Sequence, residues 1–344
     1  MNHLRLILNC HVLSYLILIS SCATVSKMKI KGPSDISYPT TGHIERLDEQ
    51  IDALIPLDSK IEVLADGFTW TEGPLWVSDG EYLLFSDIPP NKIMKWSEDE
   101  GVSTYLSPSG YTGEIGRGGE PGSNGLLLDK KGNLILCQHG DRRMAKMTAP
   151  ISKPQPIFET IIDSYDGKRF NSPNDAIYDT QGNLYFTDPP YGLEGNMKDT
   201  AKELEFQGVF RYGTDGEINL IADDIPRPNG IGLSPNEKTL YVASSEQHPM
   251  WTKFDLNEDG KVSSQSIFYD TEERTGLGAP DGLKVDSKGY IWATGPGGVW
   301  IFTPEAELLG KIITGQKTSN CVFDDTETYL YMTCDDYLMR IKLK

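Results

Sequence analysis

One motif of fixed internal geometry recurs six times along this chain and constrains its fold more than any other feature. The copies begin at Glu72 (EGPLWVSDGEYLLFSD), Asn124 (NGLLLDKKGNLILCQH), Asn174 (NDAIYDTQGNLYFTDP), Asn229 (NGIGLSPNEKTLYVAS), Asp281 (DGLKVDSKGYIWATG) and Asn320 (NCVFDDTETYLYMTC). Eight residues past each start the chain turns, at Gly80, Gly132, Gly182, Glu237, Gly289 and Thr328. Two residues further on, an apolar strand begins, at Tyr82, Leu134, Leu184, Thr239, Ile291 and Leu330. Neighbouring copies lie about 50 residues apart, shortening to 39 before the last. Short strands repeating at that period are the signature of propeller blades. The expected fold is all-β, a six-bladed β-propeller.

Turn chemistry is explicit in Ser78-Asp79-Gly80, Lys131-Gly132-Asn133, Gln181-Gly182-Asn183 and Lys288-Gly289. Further strands follow each hairpin, such as Gly208–Tyr212 and Ile218–Ala222, and Leu47–Leu54 is at most a short helix. After Asn320 only 24 residues remain, enough for three strands. The fourth strand of that blade is therefore expected from Lys60–Leu64, which would close the ring and hide two sheet edges. Two stretches fall outside the pattern: the Gly-rich Ser107–Ser123 and the insertion Pro189–Gln207. Loops this long in a compact fold are commonly functional, and both follow strands that leave the repeated ring position.

The N-terminus carries a different signal. Leu6–Ile19 is apolar, preceded by Arg5 and followed by Ile19-Ser20-Ser21-Cys22. Residues 1–22 read as an export signal of the lipoprotein type, with Cys22 acylated as the mature N-terminus. The alternative is a plain secretory signal cleaved near Ala23, giving a periplasmic or secreted protein. Residues 23–44, rich in Ser, Thr, Gly and Pro, read as a flexible tether, and 45–344 as one propeller domain. The expected location is the bacterial cell envelope, with membrane contact only through the lipid. Of the cysteines left after processing, Cys137, Cys321 and Cys334 lie in strand positions and read as buried thiols, not a disulfide framework. A formal charge of −18 with no basic patch argues against nucleic acid as a partner. A monomer is expected.

Each blade presents its first residue to a common axis, so Glu72, Asn124, Asn174, Asn229, Asp281 and Asn320 should converge in one ring. Pairing each start with the residue about fifteen on would bring Asp87, His139, Asp188, Ser244, Pro296 and Asp335 back to the same rim. A single Asn-Gly is ordinary turn chemistry. Six in register, two of them carboxylates, point to a site. The ring offers oxygen donors only, which suits a hard divalent cation: Ca²⁺ first, with Zn²⁺, Mn²⁺ or Mg²⁺ as alternatives. Without a cation, neighbouring Glu72 and Asp281 would repel and one would tend to hold a proton. His139 is the one histidine on the rim. The tryptophans sit in strand patterns and read as core. There is no G-x-S-x-G elbow, H-E-x-x-H, paired C-x-x-C, P-loop or G-x-G-x-x-G.

The stretch RFNSPNDAIYDTQGNLYFTDPPYG (Arg169–Gly192) resembles the gluconolactonase/regucalcin (senescence marker protein) family. So do EGP at Glu72, PNGIGLSPNEKTLYV at Pro228 and PDGLKVDSKGYIWAT at Pro280, in the same order. The resemblance implies a six-bladed lactonase acting on a small-molecule lactone. It implies an axial divalent metal surrounded by Glu72, Asn174, Asn229 and Asp281, with Asp281 as acid/base. Asn124, His139 and Arg169 are then the candidate substrate contacts; Ser172 stands where some animal members carry a substrate arginine, and Arg169 is its candidate replacement. Two other readings stay open: a related branch hydrolyses organophosphates with the same ligand types, and a surface propeller that only binds a ligand or partner would share the fold.

Overall fold

The computed structural model describes residues 37–246, 250–270 and 276–344. The expected export signal with Cys22 and the first part of the expected tether lie outside the described residues. Among the described residues, six antiparallel sheets of four or five strands follow one another along the chain, with a two-stranded ribbon of Ser164–Tyr165 and Lys168–Arg169 beside them. Their innermost strands are Thr71–Val77, Ser123–Leu128, Ala176–Tyr178, Pro228–Leu233, Leu283–Val285 and Thr318–Phe323. Each innermost strand packs against the next, and Thr318–Phe323 returns to Thr71–Val77, so the six sheets are the blades of a closed propeller. Five of the second strands begin at the residue expected from the repeat; the sixth begins one residue earlier, at Tyr329.

Closure uses the segment the sequence singled out. Ile61–Asp66 pairs with Tyr337–Lys342 as the fourth strand of the last blade. The tether boundary is different from expectation. Thr40–Thr41 adds a fifth strand outside Ile61–Asp66, and His43–Arg46 adds a fifth strand to the neighbouring blade against Gly310–Ile313. These polar residues are ordered because they satisfy the free backbone groups of two edge strands. Tyr38, just before them, lies against the Arg340 guanidinium, 5.2 Å from ring to Cζ.

The core is divided among the six seams between blades. Second strands are buried on both faces, and their alternating side chains feed two different seams. Leu134 and Leu136 face the first blade's Leu84 and Ile93, while Ile135 and Cys137 face Phe186 and Phe210 of the third. Leu240 and Val242 pack with Val209, whereas Tyr241 and Ala243 pack with Trp300 and Phe302. This explains why these strands read as continuous apolar runs. Cys137, Cys321 and Cys334 are buried, unpaired thiols.

Near the axis the seams become polar, and each is closed by a short hydrogen bond. Ser86 Oγ donates to Asn124 O (2.8 Å), Thr187 Oγ1 to Asn229 O (2.7 Å) and Ser319 Oγ to Thr71 O (2.6 Å). At the other three seams the amides of Gly125, Gly230 and Gly282 donate to Asn174 O, Asp281 O and Ser319 O at 2.8, 2.9 and 2.6 Å. The glycine after a ring residue is therefore a point of contact with the next blade, and not a turn residue. A Cβ on Gly230 would stand 2.2 Å from Asp281 O, and one on Gly73 2.0 Å from Asn124 O.

The register differs by one or two residues from expectation: Glu72 pairs with Ser86 and Asn320 with Thr333. Asp87 and Asp188 consequently fall just outside the ring and cap the chain entering their blades. Asp87 Oδ1 accepts from the amides of Thr69 and Trp70 at 3.0 and 3.1 Å. Asp188 accepts from Asn171 and Ser172, both at 2.7 Å. Burial pushes the Asp188 carboxyl up to about 7, with the two amides and Arg142 pulling the other way.

Gly230→Ala tests the seam geometry. Overpacking a tight interior costs ~1–3 kcal/mol, and a chain of this size loses roughly 2–4 °C in Tm per kcal/mol. A thermal melt should show Tm lowered by several degrees. An unchanged Tm would contradict the close approach.

Candidate active site

Five of the six ring residues line one axial cavity of about 350 Å³: Glu72, Asn124, Asn174, Asn229 and Asp281. Glu72, Asn124, Asn174 and Asn229 are all at most 4 % exposed. Asn320, the sixth, does not line it. Its Nδ2 lies 3.4 Å from both Glu72 Oε2 and Asp175 Oδ2, and its Oδ1 accepts from Cys321 N. It belongs to a second, smaller cavity further along the innermost strands, with Asp175 and Lys284. Lys284 Nζ lies 3.3 Å from Asn320 Oδ1 and 3.6 Å from Asp175 Oδ2. Asn320 therefore ties Glu72 to this floor.

The amides of the ring present oxygen inward. Asn229 Nδ2 is held by Ser245 Oγ at 2.9 Å, and Ser245 in turn donates to Pro280 O at 2.6 Å. With its nitrogen engaged at the wall, the Asn229 oxygen turns the other way. Asn174 Nδ2 faces His139 Nε2 at 3.5 Å. The Oδ1 atoms of Asn124, Asn174 and Asp281 are buried with no hydrogen-bond partner. Unpartnered buried oxygens are costly unless something electropositive completes them. Glu72 Oε2 accepts from its neighbour Gly73 N at 3.0 Å, and Asp281 is within hydrogen-bonding reach of Glu72. Burial raises both carboxyls well above their ordinary range. Nearby carboxylates add to this: Asp175 for Glu72, and Glu72 itself for Asp281.

Two of the expected substrate contacts are placed differently. His139 is fully buried behind Asn174. Arg169 lies on the exposed flank, where its Nη2 donates to Asp141 O at 2.6 Å and its amide to Glu203. It does not line the cavity, and the nearby amides of Asn171 and Ser172 are held by Asp188. Ser172 serves the fold: its Oγ donates to Pro189 O at 2.5 Å and accepts from Gly192 N, pinning the start of the insertion.

The sequence pattern missed Trp70, Glu120, Tyr191, Ser245 and Lys317, all of which line the cavity. Glu120 comes from the Gly-rich loop and Tyr191 from the insertion, so both loops do reach over the ring. Loop residues obey no repeat register; the only signal for them was loop length. Trp70, expected in the core, is instead in the cavity wall, 5.8 Å from the Lys317 ammonium. Arg117 joins the two loops, donating to Gly140 O at 3.0 Å and to Gly192 O, beside Glu194.

A six-bladed propeller with an axial cavity walled by amide oxygens and two coupled carboxyls is the class this geometry defines. The profile of the SMP-30/gluconolactonase/LRE-like region matches residues 70–335. A gluconolactonase of Zymomonas mobilis is 37% identical over 334 residues, covering 94% of this chain and 93% of its own. Among solved structures, a Xanthomonas campestris gluconolactonase superposes with a TM-score of 0.76 at 29% identity, covering 90% of this chain and 99% of its own. A second, described as a putative gluconolactonase, gives 0.76 at 34% identity over 88% of this chain and 98% of its own. The chain belongs to the SMP-30/gluconolactonase family.

The raised carboxyls make a pH prediction for the protein stripped with chelator. An acid whose folded-state pKa exceeds its unfolded value keeps a proton that the unfolded chain has released. Its effect is to lower stability as pH rises above the ordinary carboxylate range. The Tm of the stripped protein should fall as pH climbs from about 4 towards neutrality, and Asp281→Asn should make that fall shallower. Identical pH slopes in melts of the two proteins would contradict the coupling.

Proposed function

We propose that this protein hydrolyses a small-molecule lactone, a sugar lactone of the gluconolactone kind, with a divalent cation held at the axial ring. The observation that carries the cation is the set of buried, unpartnered oxygens of Asn124, Asn174 and Asp281 facing one cavity beside Glu72. Glu72, Asn174, Asn229 and Asp281 would hold the ion. Their donors are all oxygen, two of them neutral amides, which favours Ca²⁺ over a nitrogen- and sulfur-seeking ion such as Zn²⁺. The gluconolactonase relatives supply the reaction class. When bound, such an ion polarises the ester carbonyl and offsets the charge of the oxyanion that forms.

The chain's own groups do the rest. Asp281 Oδ1, unpartnered and at the cavity wall, takes a proton from the attacking water as its oxygen bonds to the carbonyl carbon. The ring C–O bond then breaks, and the same proton passes to the departing alkoxide, giving the open hydroxy acid. Glu120 and Tyr191 line the same cavity and would offer a polyhydroxylated ring an acceptor and a donor.

Acid release from gluconolactone, followed with and without added Ca²⁺, tests this. Asp281→Asn keeps an oxygen for the ion but cannot take a proton, so kcat should drop ~10²–10⁴-fold. Excess cation should not restore it. Glu72→Gln loses a ligand charge and keeps the base, so its activity should partly recover as cation is raised. Failure of the wild type to open the lactone at any cation level, or the reverse rescue pattern, would overturn the assignment.

A further inference from the structure

The Gly-rich loop delivers a third carboxylate, Glu120, to a fully buried histidine behind the cavity wall. Glu120 Oε2 lies 3.3 Å from His139 Nδ1, off the line of a hydrogen bond, and the His139 side chain has no solvent exposure. On the far side of the ring, His139 Nε2 faces Asn174 Nδ2 at 3.5 Å. Gly192 packs over the His139 Cβ so closely that a methyl group there would stand 2.6 Å away. The ring thus lies between a carboxylate and an amide.

We propose that Glu120 and His139 are a positioning couple that sets which end of the Asn174 amide faces the ring cavity. A carboxylate at this distance attracts an N–H and repels a lone pair, so Glu120 favours the imidazole form with its proton on Nδ1. Nε2 then carries a lone pair and can only accept. The Asn174 amide must offer it Nδ2–H, which leaves Oδ1 turned into the cavity. That oxygen is buried and unpartnered there, as the couple requires. With the other tautomer, Nε2–H would meet Asn174 best through Oδ1, and the NH₂ would point at the ring, where it would repel a cation. The couple would thus convert a symmetric-looking amide into a committed oxygen donor. Glu120 also lines the cavity, so the loop that covers the site and the ligand behind it are linked through a single imidazole.

The role as ligand rests on the cation reading above; the orientation does not. The two are separated by different measurements. In protein labelled with ¹⁵N-histidine and stripped by chelator, a long-range ¹H–¹⁵N spectrum reports the tautomer of each ring, and the signals lost in His139→Gln identify this one. The expected form has its proton on Nδ1; a proton on Nε2 overturns the proposal. The second arm is calorimetric titration with Ca²⁺. Glutamine can accept from Asn174 and donate towards Glu120, while leucine can do neither. Polar groups that orient a metal ligand are typically worth ~10–100-fold in affinity, so His139→Leu should lose that much and His139→Gln no more than about threefold. Equal losses in the two variants overturn it. If the wild type binds no divalent cation, the cation reading fails, and the tautomer spectrum alone decides the couple. Should His139→Leu not fold, Glu120→Ala serves in its place: removing the carboxylate should make both tautomers visible, and a spectrum unchanged from wild type overturns the proposal.

Discussion

The approach of neighbouring innermost strands at the axis is the constraint on which the rest of this structure depends. Gly125, Gly230 and Gly282 each donate their amide to the next blade, and a side chain at Gly73 or Gly230 would collide with a carbonyl there. This contact sets the distance between ring residues that are about 50 positions apart in the chain. It is also why the acidic or amide residue and the glycine travel together. The first supplies the oxygen, and the second lets the blade come close enough to place it. The apolar seams further out stabilise the ring, but they do not fix its diameter to a fraction of an ångström.

The electrostatics of the cavity follow from where the nitrogens go. Ser245 and His139 engage the amide nitrogens of Asn229 and Asn174, so the walls rather than the cavity receive the positive ends of those dipoles. Two carboxyls share the same small volume, and burial pushes both towards their protonated forms. A ring of this kind is unsatisfied by construction, because several of its buried acceptors have no hydrogen-bond partner. On the reading proposed above, a divalent ion would complete it. Lys284 and Asn320 close the far side, tying Glu72 to a floor that is itself an ion pair.

Much of this was legible in the sequence because repetition converts local patterns into spatial ones. The blade number, the hairpins, the closing strand at Ile61–Asp66 and convergence of five ring residues all follow from register. What was not legible has separate causes. Asn320 occupies the repeat position, yet its pairing with Thr333 and its bonds to Glu72 and Asp175 draw it out of the cavity. Arg169 lies three residues from Ser172, but its side chain bonds to Asp141 O on the exposed flank, a contact that no spacing predicts. Thr40–Arg46 looks like linker because strand order there comes from the edges it covers, not from its own composition. Glu120 and Tyr191 arrive on loops that no periodicity governs.

The central claim is that scattered oxygens from four blades form one cation site. Anomalous diffraction from crystals grown with Mn²⁺ or a lanthanide in place of Ca²⁺ addresses it most directly. The account predicts a single strong peak in the axial cavity, at roughly 2.3–2.6 Å from oxygens of Glu72, Asn174, Asn229 and Asp281. A cavity with no peak, or a peak held elsewhere by other residues, would contradict it.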